Sequence, residues 1–411
     1  MKKKTIRHPT KSKISVLNQL CNLIPPHLVP RLAREHGVDD QWRTFSPWSH
    51  TVTMMFTQVA HSVGLNDVCD ALDLHRGPLS AIRGATPPSR NNLSHANQIR
   101  DAQMAEQLFW SMLEHLQNLS PSFARGREGA GALRRFRRTI HAVDSTTIEL
   151  IASCLDWARH RRRKAAAKCH LRLNLQTFLP NCAIIDTARE NDAKRAREMC
   201  AGILRGEIVV FDKAYVDYDH LGDMDRRGVF WVTRAKKNLA AKVVKHLKVP
   251  SGSKVLQDEI VELEKPSALA PKQMRRITAM VEVDGREQKM VFLTSNLDWR
   301  PTTITDLYRC RWEIESFFKE IKQNLQLADF FGNSANAVRW QIWTALLAYL
   351  LIRFQACQSR WQHGFTRLFT LIRAAMWQKL DLLALLHDYG TACSPPRTLA
   401  TPHQAYLPGF A

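Results

Sequence analysis

Acidic side chains are scarce in this sequence of 411 residues. Only 38 Asp and Glu stand against 59 Lys and Arg, which leaves a formal net charge of +21 and a pI near 9.9. A compact fold with that excess repels itself unless it meets a polyanion, so nucleic acid is the first partner to consider and an anionic membrane surface the second. Long hydrophobic runs are missing as well. The most apolar run, Ile342–Ile352 (IWTALLAYLLI), is eleven residues, short of the roughly 20 that cross a bilayer and right for a buried helix. No clean apolar stretch follows the basic start Met1-Lys2-Lys3-Lys4, as a secretion signal requires. We therefore expect a cytoplasmic protein without membrane association. Paired cysteine spacing is absent too. The nine cysteines are scattered with no C-x2-C pair, which excludes the common zinc and redox motifs and suits small buried hydrophobes in a reducing compartment. There are no internal repeats and no low-complexity tracts.

What is present changes character along the chain. Residues 1–13 hold six basic side chains and no acid, and read as a mobile basic arm. From 14 to 124 the pattern is helical, with Val52, Phe56, Val59 and Val63 on one helical face. This region suits a helical DNA-binding domain, or equally a cap or dimerisation module. A Gly- and Arg-rich linker over 125–138 follows. The period then switches to strands. Thr139–Asp144 reads as a short strand ending on a carboxylate, and Leu171–Thr187 holds two β-rich runs with a turn near Pro180. Ile208–Asp212 is a nearly continuous apolar strand, as for one buried on both faces, and also ends on an aspartate. Residues 235–302 are strand-rich and Lys-rich, with a hairpin signal at Asp284-Gly285. From 303 the chain is helical again, and 356–411 forms a C-terminal helical region.

Three segments carry the candidate chemistry. They are Asp144-Ser145-Thr146-Thr147, Asp212-Lys213-Ala214-Tyr215, and a helix with Tyr308, Arg311, Glu315 and Lys322. One aspartate at a strand end is more often a turn cap than a ligand. Two in one domain weaken that reading. The helical steps of three, four and seven place Tyr308, Arg311, Glu315 and Lys322 on one face, although a solvated Arg–Glu pair has the same spacing. Glu313 and Glu320 lie off it. Carboxylates are the donors that hard divalent cations prefer, and two such ions can activate a nucleophile, stabilise a leaving oxygen and neutralise phosphoryl charge. No His/Cys cluster offers a rival metal site.

The pattern Tyr308-x2-Arg311-x3-Glu315-x6-Lys322, within YRCRWEIESFFKEIKQNLQL, resembles the Tyr-Arg-Glu-Lys signature of DDE transposases of the insertion-sequence family four type. The resemblance covers roughly Ile140 to Ile352. It implies an α/β fold with an RNase H-like catalytic core in two parts (139–234 and 303–355), interrupted by a β-rich insertion domain at 235–302. That insertion suits the 315 − 212 = 103 residues between the last two carboxylates. It implies that Asp144, Asp212 and Glu315 bind two Mg²⁺ ions, with Mn²⁺ able to substitute, and that Tyr308, Arg311 and Lys322 contact DNA. The implied reaction is binding of terminal inverted repeats, then cut-and-paste cleavage and strand transfer into target DNA, often through a hairpin and as a homodimer. Relatives often carry Asp-Arg-Gly-Tyr where this chain has Asp212-Lys213-Ala214-Tyr215; the turn should survive, at an energetic cost if Ala214 needs a positive φ.

Two basic groups suggest further DNA contacts: Arg161, Arg162, Arg163 and Lys164 after the first aspartate, and Lys236 and Lys237 at the start of the insertion. Trp231 and Trp299 suit a core role better than base stacking. Two alternatives stay open at this level: a structure-specific nuclease on the same core, and a catalytically inactive DNA-binding copy.

Overall fold

The computed structural model describes residues 10–38, 44–62, 64–125, 136–150, 154, 158–161, 164–187, 192–283, 285–325, 327 and 332–389. For 159–161, 164, 165, 187 and 192 it describes the backbone alone. Most of the basic arm, the centre of the linker, Val63, Arg162, Arg163, Asp284, and the chain after residue 389 lie outside the described residues, as do the side chains of Arg161 and Lys164.

The helices of the first third are α1 (Val16–Cys21), α2 (Leu28–Glu35), α3 (Pro47–Ala60), α4 (Leu65–Leu74), α5 (Arg76–Ser80), α6 (Arg90–Ile99), α7 (Gln103–Leu119) and α8 (Pro121–Arg125). The strands are β1 (Ile140–Leu150), β2 (Arg159–Arg161), β3 (Lys164–Asn174), β4 (Leu179–Thr187), β5 (Ile208–Phe211), β6 (Phe230–Arg234), β7 (Ala241–His246), β8 (Val255–Leu263), β9 (Met274–Val283) and β10 (Arg286–Thr294). Helix α9 (Asp192–Cys200) precedes β5, and α10 (Tyr218–Arg227) joins β5 to β6. After the strands come α11 (Pro301–Cys310), α12 (Trp312–Asn324), α13 (Ala335–Gln358), α14 (Phe365–Ala375) and α15 (Leu382–Tyr389).

All ten strands share one sheet. Its order is β2-β3-β1-β5-β6-β10-β9-β8-β7, with β4 also on β3. Strands β1, β3 and β4 run antiparallel, whereas β1, β5 and β6 are parallel, so the mixed order β4-β3-β1-β5-β6 is consistent with an RNase H-like core. The insertion continues the core sheet rather than standing apart, because β10 hydrogen-bonds along β6. The β9–β10 hairpin closes at the expected place, with Gly285 at φ +73°.

Alternation along β5 shows how the sheet is buried. Ile208 and Val210 enter a core with α11, α12 and α13; Val209 and Phe211 enter a second core with α9 and α10. Both faces are covered, which is why β5 reads as an unbroken apolar run. The first core extends without interruption into the N-terminal helices.

Those helices are not a free-standing module. Helix α3 begins at Ser46, whose hydroxyl accepts from Ser49 N, with Pro47 in the first turn. The sequence suggested one apolar face, but Ser49 through Val59 are all buried, because α3 packs into the group of helices around α13. Helix α13 contains the apolar run and is likewise buried along most of its length. Even the described end of the basic arm is tied down: Asp381 N donates to Thr10 O at 2.8 Å and Ser12 N to Lys379 O at 2.9 Å. Among the described residues all cysteines are free thiols, and no helix is long and apolar enough to cross a membrane.

A buried imidazole sits where α3, α6 and α13 meet. His50 Nε2 lies 2.8 Å from Asn97 Oδ1, and its ring is 4.5 Å from that of Trp340. Burial, with Arg100 adding to it, pushes the His50 pKa from 6.5 down to about 3. The unfolded chain therefore binds this proton first, so the stabilisation from neutral His50 is complete above pH 6.5 and is lost as pH falls toward 3. At pH 5 that loss is about 2 kcal/mol, at about 1.4 kcal/mol per pH unit. His50→Gln should flatten the acid limb of the unfolding free energy by about that amount relative to wild type. Parallel limbs between pH 7 and 5 in urea titrations would count against it.

Candidate active site

Register brings the two aspartates together. Strands β1 and β5 pair in parallel with Val143 opposite Phe211, so Asp144 and Asp212 are the next residues on adjacent chains, where neighbouring strands lie about 4.8 Å apart. Alternation then sets their direction. Ala142 and Val210 point into the core that contains α11 and α12, so Asp144 and Asp212, two residues further, point to that same side. The expected short strand ending at Asp144 needs correction: β1 continues to Leu150 on β3, and it is β5 that stops. Asp144 is thus exposed on its β5 side at the point where β1 outruns its partner.

The turn after Asp212 is a single 3₁₀ turn over Lys213–Tyr215, with Asp212 Oδ1 accepting from Ala214 N at 3.1 Å. Ala214 is not among the residues with positive φ, so a glycine is not required there. Two contacts hold this turn from below. His170 Nδ1 lies 3.1 Å from the Tyr215 hydroxyl, and Lys236 Nζ donates to Val216 O at 2.8 Å. The sequence carries no simple signal for either, since both pairs are distant along the chain.

The signature residues do not occupy one uninterrupted helix. Helices α11 and α12 meet at Arg311, which keeps right-handed helical dihedrals (φ −56°, ψ −34°) while its N–H bonds to Tyr308 O, three residues back. Tyr308 is buried on α11, and its hydroxyl donates to Asp212 Oδ2 at 3.4 Å. Arg311 lies between the carboxylates: Nη1 donates to Asp144 Oδ2 and Nη2 to Glu315 Oε1, both at 2.7 Å. Lys322 Nζ donates to Thr147 O at 2.7 Å on β1. Side-chain exposure ranks the group. Arg311 is 8% exposed, Asp144 18% and Glu315 54%, so Glu315 faces the solvent side of the site.

Burial pushes the Asp144 pKa up to about 6, and the Arg311 guanidinium lowers it less than burial raises it. The charges of Glu315 and Asp212 push it further upward. Three carboxylates therefore feel one another across a partly dry space, and their oxygens are the donors that a hard divalent cation takes. Among the described residues no three acidic, His or Cys side chains are spaced to share one ion. Arg311 lies between Asp144 and Glu315, so the donors fit such an ion by chemistry and adjacency. An open groove of about 390 Å³ runs beside them, lined by Asp144, Ser145, Thr146, Glu315, Phe318, Lys319, Lys322 and Gln323. Sequence reading passed over Lys319 and Gln323, although they follow Glu315 at successive helical turns.

Residues 135–351, more than half of the chain and spanning all three carboxylates, match the family model described as a transposase DDE domain. The chain belongs to the DDE transposases of bacterial insertion sequences. It is 31% identical to a Sinorhizobium fredii protein named as transposase y4zB, over 66% of this chain and 76% of that protein. A Geobacillus stearothermophilus protein named as the transposase of insertion sequence IS5377 is 28% identical over 62% of this chain and 68% of its own length. The Escherichia coli transposase InsG of IS4 is 26% identical over 44% and 42% respectively. Residues 12–82 match a second family, described only as a domain of unknown function. Membership makes this transposase an enzyme and implies that it depends on a divalent metal.

The basic residues singled out from the sequence separate within the transposase. Arg161 is on β2 and Lys164 on β3, but their side chains, like all of Arg162 and Arg163, lie outside the described residues. Lys237 is exposed past the end of β6, on the edge of the sheet where Asp212 lies. Lys236, by contrast, is committed to Val216 O. Trp231 is fully buried and donates from Nε1 to Asp225 Oδ1 at 2.7 Å, so it is a core residue. Trp299 is half-buried against Phe136 and Phe230.

Arg311→Met should destabilise the transposase by about 3–5 kcal/mol, the usual effect of stripping one partner from a buried pair. Adding Asp144→Asn should recover part of that loss, because a neutral amide needs no counter-charge. Additive losses in a denaturant double-mutant cycle would contradict the coupling.

Proposed function

We propose that this transposase binds the terminal inverted repeats of its element, cleaves the DNA there and joins the freed ends to target DNA by cut-and-paste transposition in the cytoplasm. Asp144, Asp212 and Glu315 are the catalytic carboxylates in this reading. The observation that carries it is the convergence of two strand-end aspartates and one helical glutamate on the same side of the sheet, beside an open groove. These three residues would hold two Mg²⁺ ions, which Mn²⁺ can replace, with Asp144 shared and Asp212 and Glu315 each on one. When bound, such ions supply Lewis-acid stabilisation of the attacking and leaving oxygens.

The remaining roles belong to the side chains around them. Arg311 presents a planar fork suited to a phosphate, with Tyr308 beside it. Lys322 and Lys319 place positive charge along the groove where a DNA backbone would lie, and Lys237 extends it beyond β6. The charge of +21 supports a polyanionic partner, and steep salt dependence follows from it. A homodimer holding paired ends suits the joining step, since two ends must be brought together.

Glu315→Gln keeps the size and the polar contact to Arg311 but removes a charge. On a labelled duplex carrying the element's own terminal repeat, with Mg²⁺, wild type should nick at the repeat boundary. Glu315→Gln should bind within about threefold yet cut at least about 100-fold more slowly, the scale of losing one electrostatic stabiliser. Equal cutting by both proteins would sink the carboxylate assignment. Cutting of branched DNA irrespective of the repeat would replace transposition with a nuclease activity.

A further inference from the structure

Helix α6 has a distinctive outer face. Leu93, Ala96 and Asn97 point inward and are buried, whereas Arg90, Asn91, Ser94, His95 and Gln98 are exposed. At about 100° per residue these five exposed positions fall within one arc of about 140°, opposite the buried stripe. None is acidic, and each can make a hydrogen bond from its tip: a guanidinium, two amides, a hydroxyl and an imidazole. The neighbouring helix α4 shows the contrast, with Asp67, Asp70 and Asp73 exposed. Among the described residues, the five side chains on α6 make no hydrogen bond or ion pair within the fold.

The helix is also firmly held. Asn336, at the start of α13, donates from Nδ2 to Asn97 O at 2.9 Å and to Arg100 O at 2.6 Å, while its Oδ1 accepts from Ala102 N at 2.9 Å. Trp340 Nε1 donates to Arg100 O at 2.7 Å. Helix α13 packs in turn on α12, which carries Glu315 and Lys322. The outer face of α6 is thus fixed, through one intervening helix, relative to the carboxylates.

We propose that this face of α6 enters the major groove of duplex DNA and reads its base edges, so that its fixed distance from the carboxylates sets where the transposase cuts. The proposal rests on the reading of the protein as an end-binding transposase and adds the surface that recognises the end. A ten-residue helix is about 15 Å long and fits a groove about 12 Å wide. Arg pairs with the edge of guanine, and Asn and Gln with that of adenine, by two hydrogen bonds each. Arg90, Asn91 and Gln98 supply those groups, and the lack of acid keeps phosphates from being repelled along the face.

The test is selection from a random-sequence duplex library by the full-length protein, without divalent ions so that nothing is cut. Wild type is compared with Arg90→Ala, Asn91→Ala and Gln98→Ala. All three positions are exposed, and unchanged melting temperatures confirm the fold. Wild type should enrich one motif. Each variant should lose preference at one or two of its positions, about 5- to 150-fold per base pair, while its affinity for a scrambled duplex stays within about threefold. Enrichment of an unchanged motif by all three variants overturns the role of α6 and leaves end recognition to another surface. A wild type that enriches no motif overturns sequence-specific end binding, and this proposal with it. If the substitutions alter the oligomeric state and leave the motif intact, the face belongs to a second copy of the chain and the proposal is likewise overturned.

Discussion

A carboxylate on the inner side of a sheet must be compensated, and for Asp144 the compensating group is Arg311. The guanidinium is nearly buried and forks between Asp144 and Glu315, so one cation holds a strand residue and a helix residue together. Much follows from that one placement. The boundary between α11 and α12 falls at Arg311, which leaves Tyr308 free to reach Asp212 from the preceding helix. Helix α12 is drawn against β1, and Lys322 secures its far end on Thr147 O. Removing the charge from any one member changes what the others must do, because burial makes each unpaired group costly.

The site is precise because its supports are continuous. The insertion extends the core sheet instead of hanging from it, and its most buried ion pair helps to aim the signature helices. Arg275 on β9 pairs with Asp258 on β8 through two hydrogen bonds, and the same guanidinium donates to the carbonyls of Leu297 and Trp299. Those carbonyls belong to the loop that enters α11. On the other side, helices from the first third of the chain share one core with α13. A protein that must position DNA against three carboxylates gains from such rigidity, since errors of about an ångström are expensive in catalysis.

Local pattern was informative where burial is simple. The unbroken apolar run of β5, the hairpin signal at Asp284-Gly285 and the apolar stretch of α13 each have a strong local cause, and each lies where its pattern indicated. Pattern was weaker where long-range packing decides. Helix α3 reads as amphipathic yet is buried all round, because the helices that cover its polar side come from the other end of the chain. Strand β1 reads as ending at Asp144, yet β3 carries it onward for six residues through a pairing that periodicity cannot show. Lys236 reads as one of a run of exposed charges, but a carbonyl twenty residues away takes its ammonium.

The residues of the candidate site were legible for a related reason. Helical spacing brings Arg311 within reach of Glu315, and an aspartate at the end of each apolar strand is visible without coordinates. The alternation of β-strands, a local property, fixes the side to which each aspartate points once the core face is known. What sequence by itself determined here was the supply of groups: excess positive charge, three carboxylates, and a helix with its cation and glutamate one turn apart. Only the tertiary structure decided that β1 and β5 lie side by side in parallel, that Arg311 spans two elements, and that α6 is bound to the same body as the carboxylates. Those are contacts between residues tens to hundreds of positions apart, set by which faces bury together, and a local pattern contains no record of that choice.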